Sequence, residues 1–228
     1  MTVTARPIEE LVGSESPLAG AEQQVLREWV AAWKFDLRQF SDLAQPLVRG
    51  DIGSLQKDFG HLLRHYEGQG MSAAECVSKA TAEYSNMRET RLRMPAMEVV
   101  IAGAQYYAGG RKRPTSSSNN HAHHLPDHEQ CLRFLHDIGV IVDATDVAGF
   151  TAFMRASQTW HSRLDLAEVL LEMGANVNHR SRFGGVALHE AIMAQDRRAV
   201  SFLTRNGASM DIKDNDGVSA RDIVTLIL

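Results

Sequence analysis

The chain has 228 residues, 44% of them hydrophobic and 23% charged, with a formal net charge of -4 at pH 7. That length suits one globular domain or a small domain plus a repeat array, and the slight acidity disfavours binding to nucleic acid through a broad basic face. No apolar run approaches the roughly 20 residues that span a bilayer, the first twenty residues lack the apolar stretch of a signal peptide, and Cys76 and Cys131 form no CxxC pair. Membrane insertion, a disulfide scaffold and a cysteine zinc site are therefore not expected, which leaves cytosol or nucleus as the compartment and buried packing as the role of both thiols.

Residues 1–18 read as a flexible polar tail, and 19–92 as a helical N-terminal region. In the latter Val25, Trp29, Trp33, Leu37 and Phe40 recur every three or four residues, which predicts one helix with an apolar face. The two tryptophans are expected to pack on that face. Further apolar stripes run through Leu43, Leu47 and Leu55, then Phe59, Leu62 and Leu63.

From residue 93 onward the chain repeats itself. Three segments align, beginning at Phe134, Val169 and Ser201. Gly139, Gly174 and Gly207 close their apolar runs at separations of 35 and 33 residues, and Gly149, Gly184 and Gly217 follow ten residues later at the same separations. A helix often stops at a glycine because that residue enters the left-handed region without steric cost. Leu135, Leu170 and Leu203 sit four residues before the stops, on the face expected to pack. Polar turn residues fill the interval between the glycines, and short helices rich in small residues follow in TAFMRA, VALHEA and VSARDI. Such a unit of turn, short helix, turn and longer helix buries its apolar face only by stacking on neighbours.

These residues resemble the ankyrin repeat, with its glycine, its T-P-L-H-like helix start and its later L-L-x-x-G-A. Gly149 to Met154 and Gly184 to His189 match the start with substitutions, and Leu170 to Asn178 (LLEMGANVN) matches the end. The resemblance implies an all-α helical solenoid over 93–228. An interrupted earlier repeat opens at Met94-Pro95-Ala96-Met97 and resumes at HEQCLRFLHDIG. Pro95 to Ala152 is 57 residues, about 24 more than the usual period of about 33. The surplus, at about 106–128, is rich in Gly, Ser, Asn and Pro and predicts a disordered surface insertion. The stretch around Arg49-Gly50-Asp51 reads either as plain helix or as a degenerate repeat. The order of elements and the GANVNHRSRFGGVALHEA phrase also resemble fungal ankyrin proteins that carry a MYND-type zinc finger downstream. This chain lacks the cysteine- and histidine-rich framework of that finger, so its function is not carried over, although the chain could be the repeat portion of such a protein.

Motifs for chemistry fail on inspection. His189-Glu190 lacks the second histidine of a zincin helix, since position 193 is Met193. The resemblance gives His189 a structural role instead, hydrogen bonding within the turn. DIKDNDG puts Ile212 and Ile223 where a calcium loop needs acidic ligands. No phosphate loop and no nucleophile elbow occurs. His121, His123, His124 and His128, and the basic run Arg111-Lys112-Arg113, fit a solvated loop better than a metal or phosphate site. No cofactor, metal or catalytic residue is expected.

The resemblance implies a protein-binding concave surface made of hairpin tips and first helices. Tip candidates are Thr145, Asp146, His179, Arg180, Arg182, Phe183, Lys213 and Asp214. First-helix candidates are Arg155, Gln158, Glu190 and Met193, with Trp160 in the enlarged turn between helices. Mixed charge with an aromatic and a methionine suits a protein interface. A scaffold or adaptor is the expected function, and a regulatory subunit that occludes an enzyme would use the same surface. The last residues, VSARDIVTLIL, supply one helix without its partner and end apolar. Since stacks usually end in a polar cap, association through this end, or further sequence beyond it, is expected.

Overall fold

The computed structural model describes residues 10, 18, 20–108, 126–158 and 162–227, the side chains of 226 and 227 excepted. Trp160, His121, His123, His124, Leu228, the basic run at 111–113 and most of the N-terminal tail lie outside the described residues. The architecture is an all-α, ankyrin-type helical stack. Among the described residues there is no sheet, and extended pairing is confined to isolated bridges at Glu89–Met94, Thr145–Thr151 and Lys213–Ser219.

The N-terminal region contributes α1 (Gly20–Ala31), α2 (Gln45–Arg49), α3 (Ile52–Glu67) and α4 (Ala73–Ser85). The repeats follow as α5 (Ala96–Ala108), α6 (His128–Asp137), α7 (Ala152–Ala156), α8 (Leu164–Glu172), α9 (Ala187–Met193), α10 (Arg197–Arg205) and α11 (Ala220–Ile227). The expected single helix through Phe40 is not found. α1 stops at Ala31, and a separate 3₁₀ turn, Leu37–Gln39, starts where the Asp36 carboxylate accepts the Arg38 N–H. The break frees Phe35 to stack on Tyr106, with ring centroids 4.2 Å apart. Leu26, outside the expected stripe, is the fully buried residue of α1.

First helices stack on one another and second helices stack behind them. α2 packs on α5 and α5 on α7; in the other row α3 packs on α6 and α6 on α8, while α9 carries α10 and α11. Gly103 shows how close the first row is, since a Cβ there would lie 2.1 Å from the Val48 carbonyl oxygen. His128 opens α6 in a buried position, and its Nε2 is 3.1 Å from the Val48 carbonyl. It is a core residue and no part of a histidine-rich loop. α5 runs through Tyr106 and Tyr107 to Ala108 before the inserted stretch.

The helix-ending glycines sit where the period puts them. Gly139, Gly174 and Gly207 have φ of 91°, 89° and 86°. The carbonyls of Leu135, Leu170 and Leu203 then accept the N–H groups of Val140, Ala175 and Ala208 at 2.9–3.0 Å, a closure that satisfies the last turn. All three leucines are fully buried. Both thiols are free and buried, and burial pushes Cys131 up to about 12.

Candidate protein-binding face

Each repeat projects a hairpin tip. In three of them a carbonyl at the first turn residue accepts the glycine N–H three residues on (Asp146–Gly149, Ser181–Gly184, Asp214–Gly217) at 2.9–3.2 Å. The side-chain oxygens of Asp146 and Asp214 each take two further backbone N–H groups, and Ser181 takes that of Phe183. The tips are joined by main-chain bonds: Val147 N–H to Leu92 O, Arg182 N–H to Ala148 O, and Asn215 N–H to Phe183 O, at 2.9, 2.9 and 3.1 Å. Gly149 and Gly184 serve this ladder as well as the turn. A Cβ there would lie 2.7 Å and 2.5 Å from the next tip's backbone nitrogen. The tip at Thr90 to Met94 also closes a carbonyl on the N–H three residues on, Thr90 to Arg93, but without glycine and with both Thr90 and Arg93 left-handed, at φ 60° and 55°.

His189 fastens the last tip to α9. Its Nδ1 accepts the Val186 N–H at 3.2 Å, which leaves Nε2–H to donate to the Val218 carbonyl, also at 3.2 Å. The histidine is structural.

Three charged residues share one register position on successive first helices: Glu98, Arg155 and Glu190, each three residues after Pro95, Ala152 and Ala187. The first two are joined. Arg155 donates to Glu98 in a close ion pair and to Asp146 at 3.1 Å, with side-chain exposures of 12%, 0% and 0% for Arg155, Glu98 and Asp146. Two buried carboxylates against one guanidinium leave an excess negative charge, and burial accordingly raises the Glu98 carboxyl well above its usual range, against the pull of Arg155. No donor reaches Glu98 Oε2 among the described residues. Glu190 is half-buried. Burial raises its carboxyl, and the opposing positive charge comes chiefly from Arg27 of α1.

The N-terminal segment thus lies across the face that the ankyrin resemblance leaves open. The Arg27 guanidinium is 4.3 Å from the Phe183 ring centroid. Arg91, on the first tip, covers the Trp29 ring at 4.8 Å and donates to its carbonyl at 2.7 Å. Phe35, stacked on Tyr106, extends the cover along α5.

This redistributes the expected interface residues. Phe183 is buried, 5% exposed, between Arg27 and Phe150, and Asp146 is buried by its bonds to Ala148, Phe150 and Arg155. Neither is a free tip, and Arg155 is committed inside the same cluster. Thr145, Gln158, His179, Arg182, Glu190 and Asp214 are half-buried. Arg182 donates to the Val147 carbonyl at 3.0 Å. Arg180, Lys213 and Met193 are exposed, and Arg180 reaches the Lys213 carbonyl at 2.8 Å. Glu98, Arg27 and Arg91 were not anticipated. The period alone could have flagged Glu98, since it repeats the position of Arg155 and Glu190. At the C-terminal end, Ile223 and Val224 pack against the core.

Among the described residues no group of three or more His, Cys, Asp or Glu is placed to hold a metal ion, and no helix is long and apolar enough to cross a membrane. Residues 154–204 match the family model described as ankyrin repeats (many copies). The chain is also 33% identical over 72 residues to an ankyrin repeat protein of Acanthamoeba polyphaga mimivirus, a match covering 32% of this chain and 10% of that protein. This is an ankyrin-repeat-containing protein, distantly related to a viral one. Neither match involves a zinc finger or a fungal protein.

Proposed function

We propose that the protein is a non-catalytic scaffold or adaptor that binds a protein partner through the C-terminal part of its tip-and-first-helix face. The observation that carries this is the tip ladder. Main-chain bonds fix the tips from Leu92 to Asn215, so the side chains beside them are held at set spacings. Preorganisation of that kind lowers the ordering cost of association. Arg180, Lys213 and Met193 supply two cationic groups and an exposed thioether that is 51% accessible, with Glu190 three residues before Met193 and Asp214 next to Lys213 in sequence.

Site-specific photo-crosslinking in a cell lysate tests this. With the photoreactive residue at Met193 or Lys213, a discrete protein adduct is expected. The same residue at Val77, an exposed position on α4, should give none. Adducts at Val77 alone would transfer the binding face to the N-terminal helices.

A further inference from the structure

α1 is attached to the repeats by contacts of a different kind from those within the stack. α5 buries a continuous run from Ala96 to Ala104, whereas the buried residues of α1 are Glu22, Gln23 and Leu26. Beside that leucine Val25, Trp29 and Val30 pack half-buried against the core, and two cations complete the attachment: Arg27 over Phe183, and Arg91 over Trp29. The Phe183 ring and the Glu190 carboxyl come from adjacent parts of one repeat; the Arg27 guanidinium lies over the first and is the main positive charge opposing the burial of the second. An aromatic face with a carboxylate beside it is a seat for arginine. The neighbouring cation does not compete for that seat, because Arg155 is held by Glu98 and Asp146. At the next register position along the row stands Ile223, which brings no cation to Glu190.

We infer that the Phe183–Glu190 seat is a receptor for an amphipathic helix bearing a leucine followed by an arginine, and that α1, through Leu26 and Arg27, is its resident and displaceable occupant. This rests on the protein-binding reading and specifies the partner's docking segment: a helix whose arginine replaces Arg27 while its leucine replaces Leu26. An acidic or wholly apolar helix would leave the half-buried Glu190 without its counter-charge. The free face is then a minor state, and a partner's apparent affinity is reduced by the fraction of molecules in which α1 has left.

The test uses the full chain and a fluorescein-labelled synthetic peptide of residues 18–40. Releasing the occupant with the double substitution Leu26→Ser and Arg27→Glu should tighten peptide binding by at least about tenfold over the unmodified chain. Adding Glu190→Lys to that variant should abolish the gain. Equal affinity for both chains, or a gain insensitive to Glu190→Lys, would overturn the proposal. Hydrogen exchange on the unmodified chain is an independent check that needs no variant to fold. Amides of 20–31 should open at urea concentrations that leave those of α8 protected. Opening of both in one cooperative event would make α1 a fixed part of the core and overturn the proposal. Neither readout involves the lysate partner, so failure here is distinguishable from failure of the crosslinking experiment.

Discussion

Glu98 and Glu190 stand at the same register position of two first helices, yet their charges are handled differently. Glu98 finds Arg155 at that position on the next helix and is sealed with it and Asp146 inside the stack. Glu190 finds Ile223 at that position in its own next unit, and its positive neighbour, Arg27, arrives from a helix more than 160 residues earlier. The repeat supplies the position, and the sequence filling it decides whether the stack closes on itself or takes a charge from outside. The first arrangement belongs to folding, and the second is available for exchange.

Substitutions at the two ends should separate them. The largest effect is expected at the sealed end. Arg155→Met leaves two carboxyls buried without their cation and should cost about 3–5 kcal/mol in urea denaturation. A cost under about 1 kcal/mol would mean that water reaches the cluster and that the two ends are alike after all. Smaller, and of opposite sign, is the effect of removing the titration. The Glu98 carboxyl is raised in the folded state above its ordinary 4.5. The folded protein therefore holds a proton that the unfolded chain releases. The stability tied to that proton is complete below about pH 4.5 and is lost as the pH rises through the folded value. Glu98→Gln should flatten this decline and raise stability at pH 7 by about 1 kcal/mol. Glu190→Gln should change the same profile less, because Glu190 is only half-buried. Equal responses at the two sites would remove the distinction. The smallest expected effect concerns the tip that lacks glycine. Arg93 holds a left-handed conformation while exposed to solvent. Arg93→Gly should therefore raise the thermal midpoint slightly, by the equivalent of less than about 1 kcal/mol.

Much of the repeat was legible because its signals are local. The two glycine sets lie at helix ends and tips with the expected left-handed backbone, and Leu135, Leu170 and Leu203 are buried as their spacing required. His189 bonds within its turn, as the ankyrin start pattern implied. The N-terminal segment was not legible in the same way. Val25, Trp29, Trp33, Leu37 and Phe40 have helical spacing, but the chain leaves the helix after Ala31 so that Phe35 can meet Tyr106. Nothing within a dozen residues encodes a partner 71 positions away. Phe183 was misjudged for the same reason. Its flanking residues are those of an exposed turn, and the ring is covered by Phe150 of the preceding tip and by Arg27, which reaches it from the far end of the chain.

The two buried cysteines have a practical consequence. A thiol reacts as its thiolate, and one with a pKa of about 12, as at Cys131, is ionised to on the order of one part in 10⁵ at pH 7. Cys76 is likewise enclosed, its Sγ 3.7 Å from the Met71 carbonyl. The native chain should therefore be nearly silent toward maleimide reagents. A single cysteine placed at Met193 or Lys213 would carry a fluorophore or spin label alone, without prior removal of the natural thiols, and the movement of α1 could be followed by spectroscopy in an otherwise unaltered protein.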